Sequence, residues 1–174
     1  MGIQFETDYN METLTAMAKG LRKTVRKKRS RRVHIFAAVV LILGLLTILA
    51  TVAGGEPLGA SGVVTMLALL VVILVSLFED RLNAWFAKKR LLPGTEHAAA
   101  TFEEDGYVSA TGVTESRFSY AQIVAVAETA RYFVFALSSH HTQAYDKRTI
   151  RGGSVEDFRA FIAEKTGKLV ENIK

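Results

Sequence analysis

Cysteine is absent from the 174 residues, which excludes disulfides, thiolate metal sites and a cysteine nucleophile, and fits a domain facing a reducing compartment. Proline occurs only twice, at Pro57 and Pro93. No acidic residue lies between Glu12 and Glu56, and no charge of either sign lies within residues 35–53 or 62–78. The basic excess is therefore local. Of 22 Lys and Arg against 17 Asp and Glu, nine of the basic residues fall between Lys19 and Arg32, and the remainder of the chain is acidic. Neither uncharged run holds an ionisable group, which argues against a proton or ion pathway made by this chain alone. Glycine-rich phosphate loops, zinc spacings and catalytic triads are missing too.

What the chain does have is apolar sequence in two blocks. Residues 35–53, IFAAVVLILGLLTILATVA, carry only Thr47 and Thr51 as polar residues. At ~1.5 Å per residue the block spans roughly 28 Å, close to the hydrocarbon thickness of a bilayer. Threonine hydroxyls bond back to the preceding turn at little cost. The block at 62–78 is near the lower length limit, and residues 58–61 are available to extend it. A cleavable signal is disfavoured because the first apolar run begins after more than thirty residues. Two such runs also leave too little protein to bury them as core helices. Gly54-Gly55-Glu56-Pro57-Leu58-Gly59 turns the chain between them. Basic residues precede the first run, and Arg81, Lys88, Lys89 and Arg90 follow the second, whereas the connection has none. The positive-inside rule then puts both termini in the cytoplasm, in a multi-pass membrane protein.

The expected organisation is a strand and basic juxtamembrane helix (1–32), a first span (33–53), an external loop (54–61), a second span (62–78), an interfacial helix and linker (79–94), and a cytoplasmic domain (95–174). Met11, Leu14, Ala18, Leu21 and Val25 recur at helical spacing, with Asn10 as the cap. Arg26, Lys27, Lys28 and Arg29 at the end of that segment are candidate contacts for anionic headgroups. Nucleic acid is not an expected partner, because the basic run abuts a span and no aromatic residue interleaves it. Trp85 reads as an interfacial anchor. Gly44, Thr47, Thr51, Gly62, Thr65 and Ala68 are candidate helix-packing positions, since small residues and threonine let helices approach in lipid.

From about Ala98 the pattern becomes short strands. Asp105-Gly106 reads as a two-residue hairpin turn, followed by strands near 116–120, 123–128, 132–137 and 142–145. Ser154 with an acid three residues on starts a helix whose face is Val155, Phe158, Phe161 and Ile162, and Gly167 ends it. The fold class expected is a membrane helical hairpin plus an α+β domain. That domain is a small antiparallel, pleckstrin-homology-like barrel or sheet capped by a C-terminal helix. Residues 3–7, IQFET, read as a further strand that can return to the same sheet.

This order of features resembles the YcxB-like bacterial membrane proteins, in detail at Phe102, Asp105-Gly106, Tyr120 with Ile123, Tyr132, Lys147-Arg148 and Phe158. One departure is Asp146, where the family tends to have proline before the basic pair. The resemblance supports the fold and implies no activity.

Lys147, Arg148 and Arg151 follow the last strand and are candidate contacts for a phosphate or lipid headgroup. His140-His141 and the acidic Glu103-Glu104-Asp105 read as solvated turns, so no metal and no cofactor is expected. The function expected is a non-enzymatic, membrane-anchored cytoplasmic module that binds a protein partner or an anionic headgroup. The alternative is an accessory subunit of a transporter or other membrane complex assembled through the hairpin. Homo-oligomerisation is open on the same small-residue grounds.

Overall fold

The computed structural model describes residues 2–173; Met1 and Lys174, which end the 1–32 and 95–174 segments, lie outside the described residues. In chain order they form β1 (Ile3–Asp8), α1 (Met11–Lys23), α2 (Lys27–Ala53), α3 (Ala60–Leu77) and α4 (Glu79–Lys89). There follow β2 (His97–Phe102), β3 (Tyr107–Thr111), β4 (Glu115–Phe118), β5 (Ala125–Glu128), β6 (Tyr132–Ala136), β7 (Thr142–Asp146), α5 (Val155–Thr166) and β8 (Val170–Asn172).

The helices begin and end where local chemistry requires. The Asn10 side chain accepts the Glu12 and Thr13 amides at 2.9 and 3.0 Å, capping α1. Ser154 and Asp157 exchange side chain for backbone at the start of α5, each at 3.0 Å, in a capping box. Gly167 ends α5 with φ +64°, a left-handed conformation that a side chain resists.

Helices α2 and α3 are each long and apolar enough to cross a membrane. They meet along matched seams. On α2 the sheltered positions include Ala37, Leu41, Gly44, Ile48 and Thr51; on α3 they are Gly62, Thr65, Leu69, Val72 and Ser76. Steps of three and four residues on both helices are the spacing of knobs-into-holes packing. A Cβ at Gly44 would stand 2.6 Å from Leu69 Cδ2, so glycine sets the approach of the two helices. Of the six small-residue candidates, Thr47 and Ala68 lie off this seam and are exposed. Thr47, Thr51 and Thr65 bond back to the carbonyls of Leu43, Thr47 and Ser61 at 2.9, 3.0 and 2.9 Å. Gly44→Leu is expected to splay the hairpin at a cost of about 1–3 kcal/mol. Gly62→Leu, whose Cβ would crowd the Leu58 side chain at the loop end and not the partner helix, should cost less. Thermal unfolding of the two full-length variants in the same detergent distinguishes them, and equal melting temperatures would contradict the seam.

The strands form two four-stranded sheets, ordered β1-β2-β3-β4 and β7-β6-β5-β8. Strand β1 pairs antiparallel with β2 over its whole length, from Ile3 opposite Phe102 to Asp8 opposite His97. The sequence left open whether the N-terminal strand joins this sheet; it does, and the hairpin is an insertion between two neighbouring strands of one sheet. Two other features differ from the sequence reading. The sheets do not close into a barrel: between β4 and β5 the chain makes a 3₁₀ turn, Tyr120–Gln122, capped by Ser119, and crosses from one sheet to the other without pairing. At the opposite corner no ladder forms between β1 and the segment after β7: Gln4 and Arg151 make an isolated bridge, and the Glu6 amide and carbonyl both bond the Thr149 hydroxyl. Moreover β8 pairs with β5 in parallel, so the second sheet is mixed.

The Asp105-Gly106 turn is also shifted by one residue. The Glu103 amide donates to the Gly106 carbonyl at 2.8 Å, which puts Glu104 and Asp105 at the turn centre. Gly106 is needed for a different reason: a Cβ there would sit 2.4 Å from the Phe118 carbonyl oxygen on β4. The Tyr120 hydroxyl pins the same turn, donating to the Glu103 and Gly106 carbonyls.

Between the sheets lies an aromatic core of Phe5, Phe102, Tyr107, Phe133, Phe135 and Tyr145, into which α5 inserts Phe158 and Ile162. All five residues of β6, YFVFA, are buried, because its faces are covered on both sides. Phe133 and Phe135 face the core, and Tyr132 and Val134 face Ala16 and Met17 of α1. A Cβ at Gly20 would come within 2.7 Å of Val134, so α1 lies close against this sheet.

Candidate functional site

Helix α1 is held from both sides. Toward the strands, the Thr13 hydroxyl donates to the Asp8 carbonyl at 2.7 Å and lies 3.2 Å from the Tyr132 hydroxyl. Toward the hairpin, Arg22 binds Asp80 of α4 through two parallel bonds of 2.7 and 2.6 Å, with Glu79 3.8 Å away. This fork geometry holds Arg22 protonated beyond its ordinary range, chiefly through the bonds to Asp80. Ala84 of α4 is fully buried, so little more than backbone separates the two helices there.

Beside this clamp opens a cleft of about 610 Å³ between α1, the first turns of α2 and α4. Leu14, Met17, Leu21, Val33 and Phe86 supply apolar walls, and Arg22, Arg26, Arg29, Arg90 and His140 supply basic groups, with Glu79 the acid among them. Arg26 Nε donates to the Ser139 carbonyl at 2.7 Å, and its terminal nitrogen lies 2.8 Å from His140 Nδ1. A guanidinium only donates, so His140 accepts at Nδ1 and carries its proton on Nε2. Arg26 thus ties the α1–α2 elbow to the turn between β6 and β7. Among the described residues, Arg26, Arg29 and Arg90 take part in no salt bridge, whereas Glu79 faces Arg22 and His34. Lys27 and Lys28 are exposed on the first turn of α2 and do not line the cleft. Trp85 is exposed on α4, with Lys89 Nζ 3.6 Å from its ring centre.

The other basic group sits elsewhere, and each member faces an acid. Lys147 Nζ lies 2.5 Å from Glu128 and donates to the Thr129 carbonyl at 2.6 Å. Arg148 binds Asp146 at 2.9 Å, and Arg151 lies 3.4 Å from Glu6. Glu128 also receives Arg159 at 2.7 and 2.8 Å. The Arg159 bonds, followed by those of Lys147, bring the buried Glu128 carboxyl down to about 2, against the opposing effect of burial. Asp146, the departure noted in the sequence, is buried and receives Arg131 and Arg148. Its amide donates to Thr7 Oγ1 at 3.1 Å, a bond that proline has no hydrogen to make.

The structure therefore brings Arg26 and Arg29 into one cleft, leaves Lys27 and Lys28 outside it, and sets Lys147, Arg148 and Arg151 among carboxylates. The sequence reading missed Arg22, Phe86 and Arg90 as members of the cleft, and Glu128 and Arg159 as ionic partners of Lys147. The available signal for the first group was the coincidence of two amphipathic basic helices at the ends of both apolar runs remote from their connecting loop. Among the described residues no three His, Asp or Glu side chains gather as a metal set.

Residues 102–162 are similar to the family model described as YcxB-like protein. The matched segment begins at the last residue of β2 and includes none of β1 or the four preceding helices. No curated protein and no solved structure matches the chain.

Proposed function

We propose that this chain, YcxB-like over residues 102–162, is a non-enzymatic binding module anchored in the bacterial plasma membrane, with its strand domain and both termini on the cytoplasmic side. The observation that carries the reading is the full-length β1–β2 ladder. A hairpin inserted between paired strands fixes the domain against whatever α2 and α3 occupy. Those helices present apolar side chains outward: Leu69 alone among their described residues is buried. Helices so uncovered suit lipid and not a protein core. The basic segments flanking them, against a connection without basic residues, support this orientation. The cleft then opens at the bilayer surface, where a headgroup or partner segment is presented to it.

A subunit assembled through the hairpin is the second reading. Thr47 and Ala68, small and exposed off the seam, favour it, while Gly44, Thr51 and Thr65 are already engaged within the hairpin.

Because the chain has no cysteine, single introduced cysteines report topology cleanly. Glu56→Cys in the loop is expected to react with an impermeant maleimide added to intact cells. Glu171→Cys should react only after permeabilisation. The opposite pattern would reverse the orientation, and protection of neither site would remove the spans.

A further inference from the structure

Among the described residues, guanidinium groups outside any salt bridge line an apolar-walled cleft between α1, α2 and α4. We propose that the cleft binds the phosphate of an anionic glycerophospholipid entering sideways from the cytoplasmic leaflet; this rests on the membrane-anchored reading and names the ligand of that site.

The first argument is depth. The cleft is lined by Arg29 and Ser30 of α2 and by Val33, two residues before the uncharged run at 35–53. About 6 Å of helix rise separates Arg29 from Val33, so the charged and apolar linings straddle the level of the headgroups. The second argument is charge. Lys147, Arg148 and Arg151 are each matched by a carboxylate, but Arg29 and Arg90 are not, and they stand on opposite helices of the cleft. Two guanidiniums lining one cleft from separate segments suit a phosphate, which accepts several N–H donors at once. The third is shape. Val33 and Phe86 leave an apolar wall beside those donors, as an amphiphile requires and a free anion does not. The volume, about 610 Å³, accommodates a headgroup with its glycerol.

The test uses the full chain in a neutral detergent and measures lipid binding by native mass spectrometry. Phosphatidylglycerol is expected to bind more tightly than phosphatidylethanolamine. Arg29→Gln/Arg90→Gln should weaken phosphatidylglycerol about tenfold or more, each cation contributing near the surface as a headgroup contact does. Lys27→Gln/Lys28→Gln removes the same charge from the same surface outside the cleft, and should change binding less than twofold. Both double variants keep their folds if their near-ultraviolet circular dichroism melts coincide with wild type. Equal losses in the two variants, or no preference for phosphatidylglycerol, would overturn the site. Displacement by low-millimolar inorganic phosphate would assign the cleft to a soluble anion and overturn the lipid. Reversed cysteine labelling with lipid selectivity intact would overturn the orientation and leave the cleft standing.

Discussion

Phe5→Ala is expected to destabilise the strand domain by about 3–5 kcal/mol, the usual cost of emptying an aromatic site in a packed core. The whole helical hairpin separates Phe5 from Ala100, its partner across the β1–β2 ladder. Yet its ring is 1% exposed and lies 4.6 Å from Phe158, 5.7 Å from Tyr145 and 5.8 Å from Phe102. Those neighbours come from α5, β7 and β2, so the lost ring removes contacts from both sheets and from the closing helix. A domain of this size has on the order of 5–15 kcal/mol in total, so this loss takes a large fraction of the stability and lowers the melting temperature clearly. All five tyrosines lie in β1–α1 or the strand domain, and near-ultraviolet circular dichroism of the full chain in detergent reads their packing. An unchanged melt would mean that β1 does not contribute to the core.

The same geometry sets the unit that folds. A fragment starting at Thr95 keeps the YcxB-like segment but loses β1, the Thr7 and Glu6 contacts to Asp146 and Thr149, and the α1 cover over Tyr132 and Val134. It would expose an unpaired edge on β2 and an apolar face on β6, both of which favour aggregation. The family segment is thus shorter than the domain, and the hairpin is part of what holds the domain together through Arg22 and Asp80.

How much of this was legible follows from the range of the interactions. The caps at Asn10 and Ser154, the stop at Gly167 and the two apolar helices depend on neighbours within a few residues, and each was readable. Strand β1 was readable because IQFET alternates as a half-buried strand does. Strand β8 was not: Val170–Asn172 is three residues long, and only its parallel pairing with β5 makes it a strand. The open corner between the sheets depends on how the Tyr120–Gln122 turn redirects the chain, which composition does not encode. At the cleft, Arg26 and Arg29 were candidates from their place beside a span, but Arg90 joins them only because α1 docks on α4. Lys147, Arg148 and Arg151 look like an anion site in sequence, since the acids that neutralise them come from Glu6, Glu128 and Asp146 on three different strands.

The acid with most at stake is Glu128. Its side chain is 6% exposed and is, among the described residues, the one carboxylate bonded to Lys147, whose own side chain is 12% exposed. Glu128→Leu strands that ammonium beside the Phe133 ring and leaves Arg159 without its fork partner, and is expected to cost about 3–5 kcal/mol. Replacing both ends of the pair, as Glu128→Leu with Lys147→Met, should cost clearly less than the single change, because no buried charge is then left unmatched. The dependence on pH has a definite sign. The folded carboxyl titrates at about 2, below its ordinary value of 4.5, so its contribution is complete above pH 5. It fades as the pH falls from there toward 2, by on the order of 3 kcal/mol in all. Glu128→Gln lacks this component. The stability difference between wild type and Glu128→Gln, taken from denaturant midpoints in detergent, should therefore be flat from pH 7 to 5 and shrink steadily below. A difference that grew on acidification would mean that desolvation, not Arg159 and Lys147, governs this carboxylate, and the ionic hub joining β5, β7 and α5 would lose its basis.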